Sequence, residues 1–422
     1  MKIENLRREK EKNRVKVAAT VRWEDCDRPV QELYFETDEG FAADLSCNPH
    51  AFMLACAIPA MHYGEERIFL DAEICPELRD GLIIAMGWFH HWFGLDFKPV
   101  RIEARIRASM PTPRTPERAG FFFSGGIDSL ATLRVNRLNF PSEHPWSIKD
   151  GLLVYGLELD EPEAFEHVLH SLSVLAREVG ITLVPIYTNV YLDYRQEDAS
   201  RNFSFWKYKF QAAALAAVAH VFARRLTIVS IAATFDIPNF TTNGHLRAFG
   251  SHPLIDHNYS SSDLMVRDEG VALSRFDKVK LVADWDVVLK NLRVCNQYKR
   301  YQSGRLNCGK CEKCIRTMLS LLAMGVLDKT RAFPHHDVSE EIVRKTVSIP
   351  GQYVEACYKD LIAPLTERGR LDLVEAIEDS IANYHQSQWK AKWRQRIVDP
   401  VAQFDEKYFH NCLRKLKNLL RA

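Results

Sequence analysis

From residue 119 to residue 232 the chain alternates short, continuously apolar runs with helical segments, and few folds accept that pattern. Residues 121–123 read as a buried strand followed by a helix from Ser129, then a strand at 151–157 and a helix at 163–179. A strand at 181–186, a long alanine-rich helix at 210–224 and a strand at 226–232 continue the series. Apolar runs without polar alternation belong to strands buried on both faces, and helical crossovers between them make the strands parallel. The expectation is an α/β fold with a doubly wound parallel sheet.

The first strand breaks into Ser124-Gly125-Gly126-Ile127-Asp128-Ser129 before its helix begins. Two glycines let the backbone turn tightly and approach a ligand closely. Main-chain N–H groups, two serine hydroxyls and a helix N-terminus then point at one spot, an arrangement suited to phosphate. Asp128 belongs beside phosphates only if Mg²⁺ lies between them. A plain helix cap would use Asp and Ser too, but the full string between strand and helix favours the phosphate reading.

Four of the ten cysteines cluster as Cys295-x12-Cys308-x2-Cys311-x2-Cys314. Four thiolates satisfy a tetrahedral Zn²⁺, and the x2 spacings let one turn supply three of them. Buried free thiols and an iron–sulfur cluster are the alternatives. The expected site is closed and structural. Cys26, Cys47, Cys56, Cys75, Cys357 and Cys412 are scattered singly and read as small core residues.

In 422 residues, 56 Lys+Arg against 55 Asp+Glu leave a formal net charge of +1, which argues against a global polycation wrapped around nucleic acid. No stretch approaches the ~18 apolar residues of a membrane span. The charged run 1–14 lacks the apolar core of a signal peptide, so the expected location is cytoplasmic. Three prolines among residues 110–116 mark a linker. The reading divides the chain into an N-terminal α+β domain (1–115), an α/β domain with the cysteine site (116–335) and a helical C-terminal extension (336–422).

The Ser-Gly-Gly-x-Asp-Ser string resembles the pyrophosphate loop (PP-loop) of the N-type ATP pyrophosphatases. That resemblance implies an adenine-nucleotide-hydrolase-like fold, formation of an adenylate, and release of pyrophosphate and then AMP. Combined with the cysteine pattern, residues 119–327 resemble the 7-cyano-7-deazaguanine synthase family, which uses ATP, ammonia and 7-carboxy-7-deazaguanine and carries a four-cysteine zinc site. Ser200-Arg201-Asn202, His252-Pro253-Leu254 and Asp277-Lys278 resemble further family elements. The resemblance implies that Ser124, Gly125, Gly126, Ile127, Asp128 and Ser129 bind ATP and Mg²⁺, with Asp128, Lys278 and Arg201 as catalytic residues. The chain departs from the family in its length, in Ser200 standing for Gly, and in 234–239, which replaces an Asp-rich stretch.

Larger proteins resembling the synthase occur in bacterial anti-phage operons. For such a protein the resemblance implies a protein amine from an operon partner as acceptor instead of ammonia. The alternative reading is a tRNA-modifying adenylating enzyme that thiolates or aminates a base. Other features read as structure: the aromatic stripe 88–93 as core, and His90-His91, His335-His336, His167 and His170 as unligated. Glu158 and Asp160 are candidates to touch ribose, and the basic tail with Arg414, Lys415, Lys417 and Arg421 reads as an amphipathic helix.

Overall fold

The computed structural model describes residues 1–95, 97–109, 117–191, 204–242, 245–301 and 305–393. The 110–116 linker, Ser200-Arg201-Asn202, Cys412 and the basic tail lie outside the described residues. The chain divides into two compact units, Met1–His336 and Asp337–Ala422.

The first unit is α/β and is built on one ten-stranded sheet. Its strands are β1 (Lys2–Glu11), β2 (Arg14–Arg22), β3 (Gln31–Asp38), β4 (Arg67–Ile74), β5 (Arg101–Ile106), β6 (Ala119–Phe122), β7 (Ile148–Tyr155), β8 (Thr182–Thr188), β9 (Ile228–Ala232) and β12 (Met265–Glu269). A separate two-stranded ribbon pairs β10 (Thr241–Thr242) with β11 (His245–Leu246). The order across the large sheet is β12-β9-β6-β7-β8-β3-β2-β1-β4-β5. From β12 to β8 all pairings are parallel. The N-terminal strands attach through an antiparallel pairing of β3 with β8.

The two parts of the sheet obey different burial rules. Along β2, Val15, Val17, Ala19 and Val21 are buried, while Lys16 pairs with Glu9 and Glu32 on the opposite face. This mixed part therefore covers a core on one side and carries ion pairs on the other. In the parallel part both faces are covered. Leu152, Val184, Val229 and Ile231 join the core that contains helices α1 (Pro49–Tyr63) and α2 (Pro76–Phe93). Phe121, Leu153 and Ile228 are buried as well but lie outside that core. Helix α3 (Ile127–Asn139) packs on β6, β7 and β9, and α4 (Pro162–Glu178) packs on β7 and β8.

Segments 1–115 and 116–335, read from the sequence as two domains, share this sheet and one core. The reason is α1, which is buried from His50 to Met61 on all sides. A helix apolar all round cannot face solvent. It packs against α5 (Gln211–Val221), whose alanines permit close approach. Asn48 caps α1 by accepting from the His50 N–H and donates its Nδ2 to the His220 carbonyl at 2.9 Å. Strand β1 was not expected from its charged sequence. Its backbone pairs with both β2 and β4, and a bulge between Glu4 and Arg7, with Asn5 at φ 53°, interrupts its alternation.

Asp150, fully buried at the start of β7, accepts from Arg118 Nε at 2.5 Å and from Arg225 Nη2 at 2.9 Å. Arg225 also holds Asp44 at 2.8 Å, so one carboxylate organises both sequence segments. Asp150→Ala removes the partner of two guanidinium groups and is expected to cost about 3–5 kcal/mol. Urea unfolding measures this, and a midpoint equal to that of the parent would contradict the assignment.

In the second unit the described residues form α9 (Glu340–Thr346), α10 (Gln352–Glu367) and α11 (Leu371–Trp393), after α6 (Arg275–Ala283), α7 (Asp286–Asn291) and α8 (Glu312–Ala323) of the first. Tyr358, Leu361, Leu365, Leu373 and Ile377 are buried there, and Ser339 caps α9. Among the described residues no helix is long and apolar enough to cross a membrane.

Candidate functional site

Strand order determines where a crevice opens. The chain runs from β6 outward to β7 and β8, then returns through α5 to β9 on the other side of β6. The connections after β6 and β9 therefore diverge, and ligands of open α/β sheets bind at the carboxyl ends of such strands.

The Ser124–Ser129 loop lies at this point, between β6 and α3. Gly125 takes φ +73°, and a Cβ there would lie 2.7 Å from Leu172 Cδ2. The left-handed backbone and the tight contact both require glycine. The Gly126 N–H donates to Ser124 Oγ at 3.3 Å, and Ser129 Oγ donates to the Gly126 carbonyl at 3.0 Å. Ile127 is fully buried and anchors the turn, while Ser124 is exposed. Gly126 occupies the helix cap position, which leaves the cap without a side-chain acceptor. The first-turn amides of α3 lack intrahelical partners, as at any helix start, and a helix N-terminus at this point is able to bind an anion.

Asp128 turns away from a capping role. Its Oδ2 accepts from Arg275 Nη1 at 2.7 Å, and its Oδ1 lies 3.3 Å from Lys278 Nζ. Burial pushes its carboxyl up, but the Arg275 and Lys278 charges outweigh burial and hold it below the ordinary value. Lys278 is buried, and its Nζ also donates to the Ala233 carbonyl, just past β9, at 2.6 Å. One ammonium thus spans the divide between β6 and β9. Local sequence places it there: Ser274 caps α6 by accepting from the Asp277 N–H, and Arg275 and Lys278 follow three residues apart on one helix face. That spacing was the signal that could have identified Arg275, which sequence reasoning missed. Arg201 lies outside the described residues.

Behind Lys278 lies a second group of acids. Asp268 and Glu269 end β12, an edge strand not expected from the sequence because Val266 is its one fully buried apolar residue. Among the described residues neither carboxylate oxygen of Asp268 has a hydrogen-bond partner, and burial pushes its pKa up to about 7 against the pull of Lys278. Asp256, fully buried, accepts from Ser251 Oγ at 2.7 Å and the His252 N–H at 2.8 Å. Burial and the nearby Asp268 raise its carboxyl as well. His252 is thereby pinned in the interior, while Pro253 and Leu254 are half-buried. His252 packs its ring against Phe240 and Trp92 at 4.5 and 5.1 Å.

A carboxyl with a raised folded-state pKa keeps a proton that the unfolded chain has already lost. Stability therefore falls as pH rises from about 4 through about 7. Asp268→Asn is expected to stabilise the protein at pH 8 and to flatten its denaturation midpoint between pH 5 and pH 8. Equal pH dependence in parent and variant would contradict this.

The four cysteines converge. Their sulfurs all lie within 4.8 Å of one another, with Cys295–Cys311 at 3.6 Å and Cys308–Cys314 at 3.9 Å. Four sulfurs about 2.3 Å from one ion at tetrahedral angles lie about 3.8 Å apart, so the cluster has the spacing of a metal tetrathiolate. It is the only such ligand group among the described residues. Gly309, at φ +68°, turns the chain between Cys308 and Cys311, and a Cβ there would meet Pro334 Cγ at 2.4 Å. Cys311 caps α8 and Cys314 sits in its first turn, where the helix dipole favours negative sulfur. Hydrogen bonds from the Cys311 and Cys314 thiols hold the Cys295 thiol below its ordinary value, while Cys311 beside it is raised. A bound cation would let all four sulfurs carry negative charge at once.

The other residues singled out in the sequence have the following surroundings. Glu158 accepts from Trp206 Nε1 at 3.1 Å and from Asn296 Nδ2 at 3.3 Å. In the aromatic stripe Phe89 is buried, and His90 Nδ1 lies 3.1 Å from the Phe97 carbonyl oxygen. Cys56, Cys75 and Cys357 are buried, while Cys26 and Cys47 are half-buried.

No protein-family model matches this chain, and no curated protein or solved structure matches it.

Proposed function

We propose that this protein is an AMP-forming, ATP-dependent ligase of the N-type pyrophosphatase kind, acting on a carboxylic acid. The observation that carries the reading is the Ser124–Ser129 loop at the divergence of β6 and β9, with Lys278 bridging Asp128 to the end of β9. Loop amides and serine hydroxyls would hold the departing pyrophosphate, and Lys278 and Arg275 would offset its charge. Asp128 would share Mg²⁺ with the phosphates once they displace its cationic partners. Mg²⁺ supplies charge neutralisation when bound.

In this reading the acid's carboxylate oxygen attacks the α-phosphorus and the bond to the β-phosphate breaks, releasing pyrophosphate. An amine nitrogen then attacks the acyl carbon, loses a proton, and AMP leaves. The acid is 7-carboxy-7-deazaguanine, and the amine is ammonia or a protein amine of an operon partner in anti-phage defence. The tetrathiolate site holds a structural Zn²⁺, with four protein ligands and no open position.

The test incubates the metal-replete protein with Mg²⁺-ATP, with and without 7-carboxy-7-deazaguanine, and quantifies AMP and pyrophosphate. AMP that depends on the acid supports the reading. ATP turnover to ADP, or no turnover with any acid or amine, would overturn it.

A further inference from the structure

We infer that the tetrathiolate site clamps the Ser124–Ser129 loop through two positioning residues, Asn307 and Arg293, so that metal occupancy controls loop order. The connection is continuous and short. Asn307, fully buried and adjacent to ligand Cys308, accepts on Oδ1 from the Val294 N–H at 2.8 Å and the Cys295 N–H at 3.2 Å. Its Nδ2 donates to the Leu292 carbonyl at 2.6 Å and the Ala332 carbonyl at 3.0 Å. One side chain thereby grips the backbone on both sides of Arg293.

Arg293 in turn grips the loop. Its N–H donates to the Gly125 carbonyl at 2.8 Å, and its Nη1 donates to the Ser124 carbonyl at 3.3 Å. Both carbonyls belong to the turn that joins β6 to α3. A Cβ on Gly125 would also lie 3.4 Å from Arg293 Cβ, so residue 293 lies close against the glycine.

The energetic logic follows from the ligand set. An ion that joins Cys295 to Cys308, Cys311 and Cys314 closes the loop between residues 295 and 308 and removes its freedom. Without the ion, residues 292–295 keep Asn307, the Tyr301 hydroxyl on the Cys295 carbonyl and their neighbours, and the loop loses its metal-fixed backstop. Preorganisation of oxyanion-binding amides depends on such support. The clamp extends beyond the adenylation reading and does not require it, because it concerns the order of the loop itself.

The test is short-pulse amide hydrogen exchange on the full chain, metal-loaded and chelator-stripped, without nucleotide. Peptides covering 123–130 are compared with those from β7 and β8. Stripping is expected to speed loop exchange about tenfold or more while the strand peptides stay protected at the same pulse. Arg293→Ala with metal bound removes the Nη1 bond to Ser124 but keeps the main-chain bond to Gly125, so it is expected to speed loop exchange and to shrink the metal effect in part. Asn307→Ala, with metal content measured, is expected to abolish the metal effect; if it does not fold, Arg293→Ala decides alone. Loop exchange unchanged by stripping, an undiminished metal effect in Arg293→Ala, or simultaneous exposure of the strands would each overturn the clamp. No nucleotide enters the measurement, so failure here is separate from failure of adenylation.

Discussion

Lys278→Met is expected to reduce AMP formation about a hundred- to a thousand-fold, the usual loss when a preorganised charge is removed from a developing anion. Methionine fills much of the volume of the lysine stem, so packing around residue 278 changes little. The lost ammonium is a buried one, held 2.6 Å from the Ala233 carbonyl and 3.3 Å from Asp128. In a poorly hydrated site its charge acts with less screening than a surface lysine's. Asp128 keeps Arg275 as partner, so the fold is expected to survive, and thermal melting serves as the control. Single-turnover AMP release measures the effect. Parental rates in a folded Lys278→Met protein would remove the residue from the site and weaken the ligase reading with it.

The second large effect is expected at the sulfur cluster. Cys308→Ser or Cys314→Ser replaces a thiolate with a poor metal ligand. Structural Zn²⁺ sites contribute apparent binding energies of about 10–16 kcal/mol to folding, so losing one ligand forfeits several kcal/mol. A fall in melting temperature of about 10 °C or more, with loss of stoichiometric metal, is the expected result. Cys56→Ser is the control. It is buried in α1 outside the cluster, where burial pushes its thiol up to about 12, and its replacement changes packing without touching a ligand. Equal effects at Cys308 and Cys56 would mean that the cluster is ordinary core. Metal analysis of the purified protein separates zinc from iron.

Legibility along the chain followed periodicity. Helix α1 was readable because Asn48-Pro49 opens it and Gly64 closes it at φ +78°. Strands β6 to β9 were readable because burial on both faces leaves continuous apolar runs. Strands β1 and β12 were not, since one is charged on its open face and the other is five residues at the sheet edge. Their pairing comes from backbone hydrogen bonds offered by neighbours far away in sequence, which no local pattern records.

The candidate site divides the same way. The Ser124–Ser129 string and the Cys308–Cys314 string are each short and local, so the amino-acid order alone singled them out, while Cys295 joins the second across twelve intervening residues. That sheet and core would run unbroken from β5 to β12 depended on α1 meeting α5, a contact between segments about 160 residues apart. Arg275, Asp268, Arg293 and Asn307 acquire their roles only when crossovers bring α6, β12 and the cysteine segment to the ends of β6 and β9. Local order specifies which groups can do chemistry; burial of apolar surface between distant elements decides which of them meet.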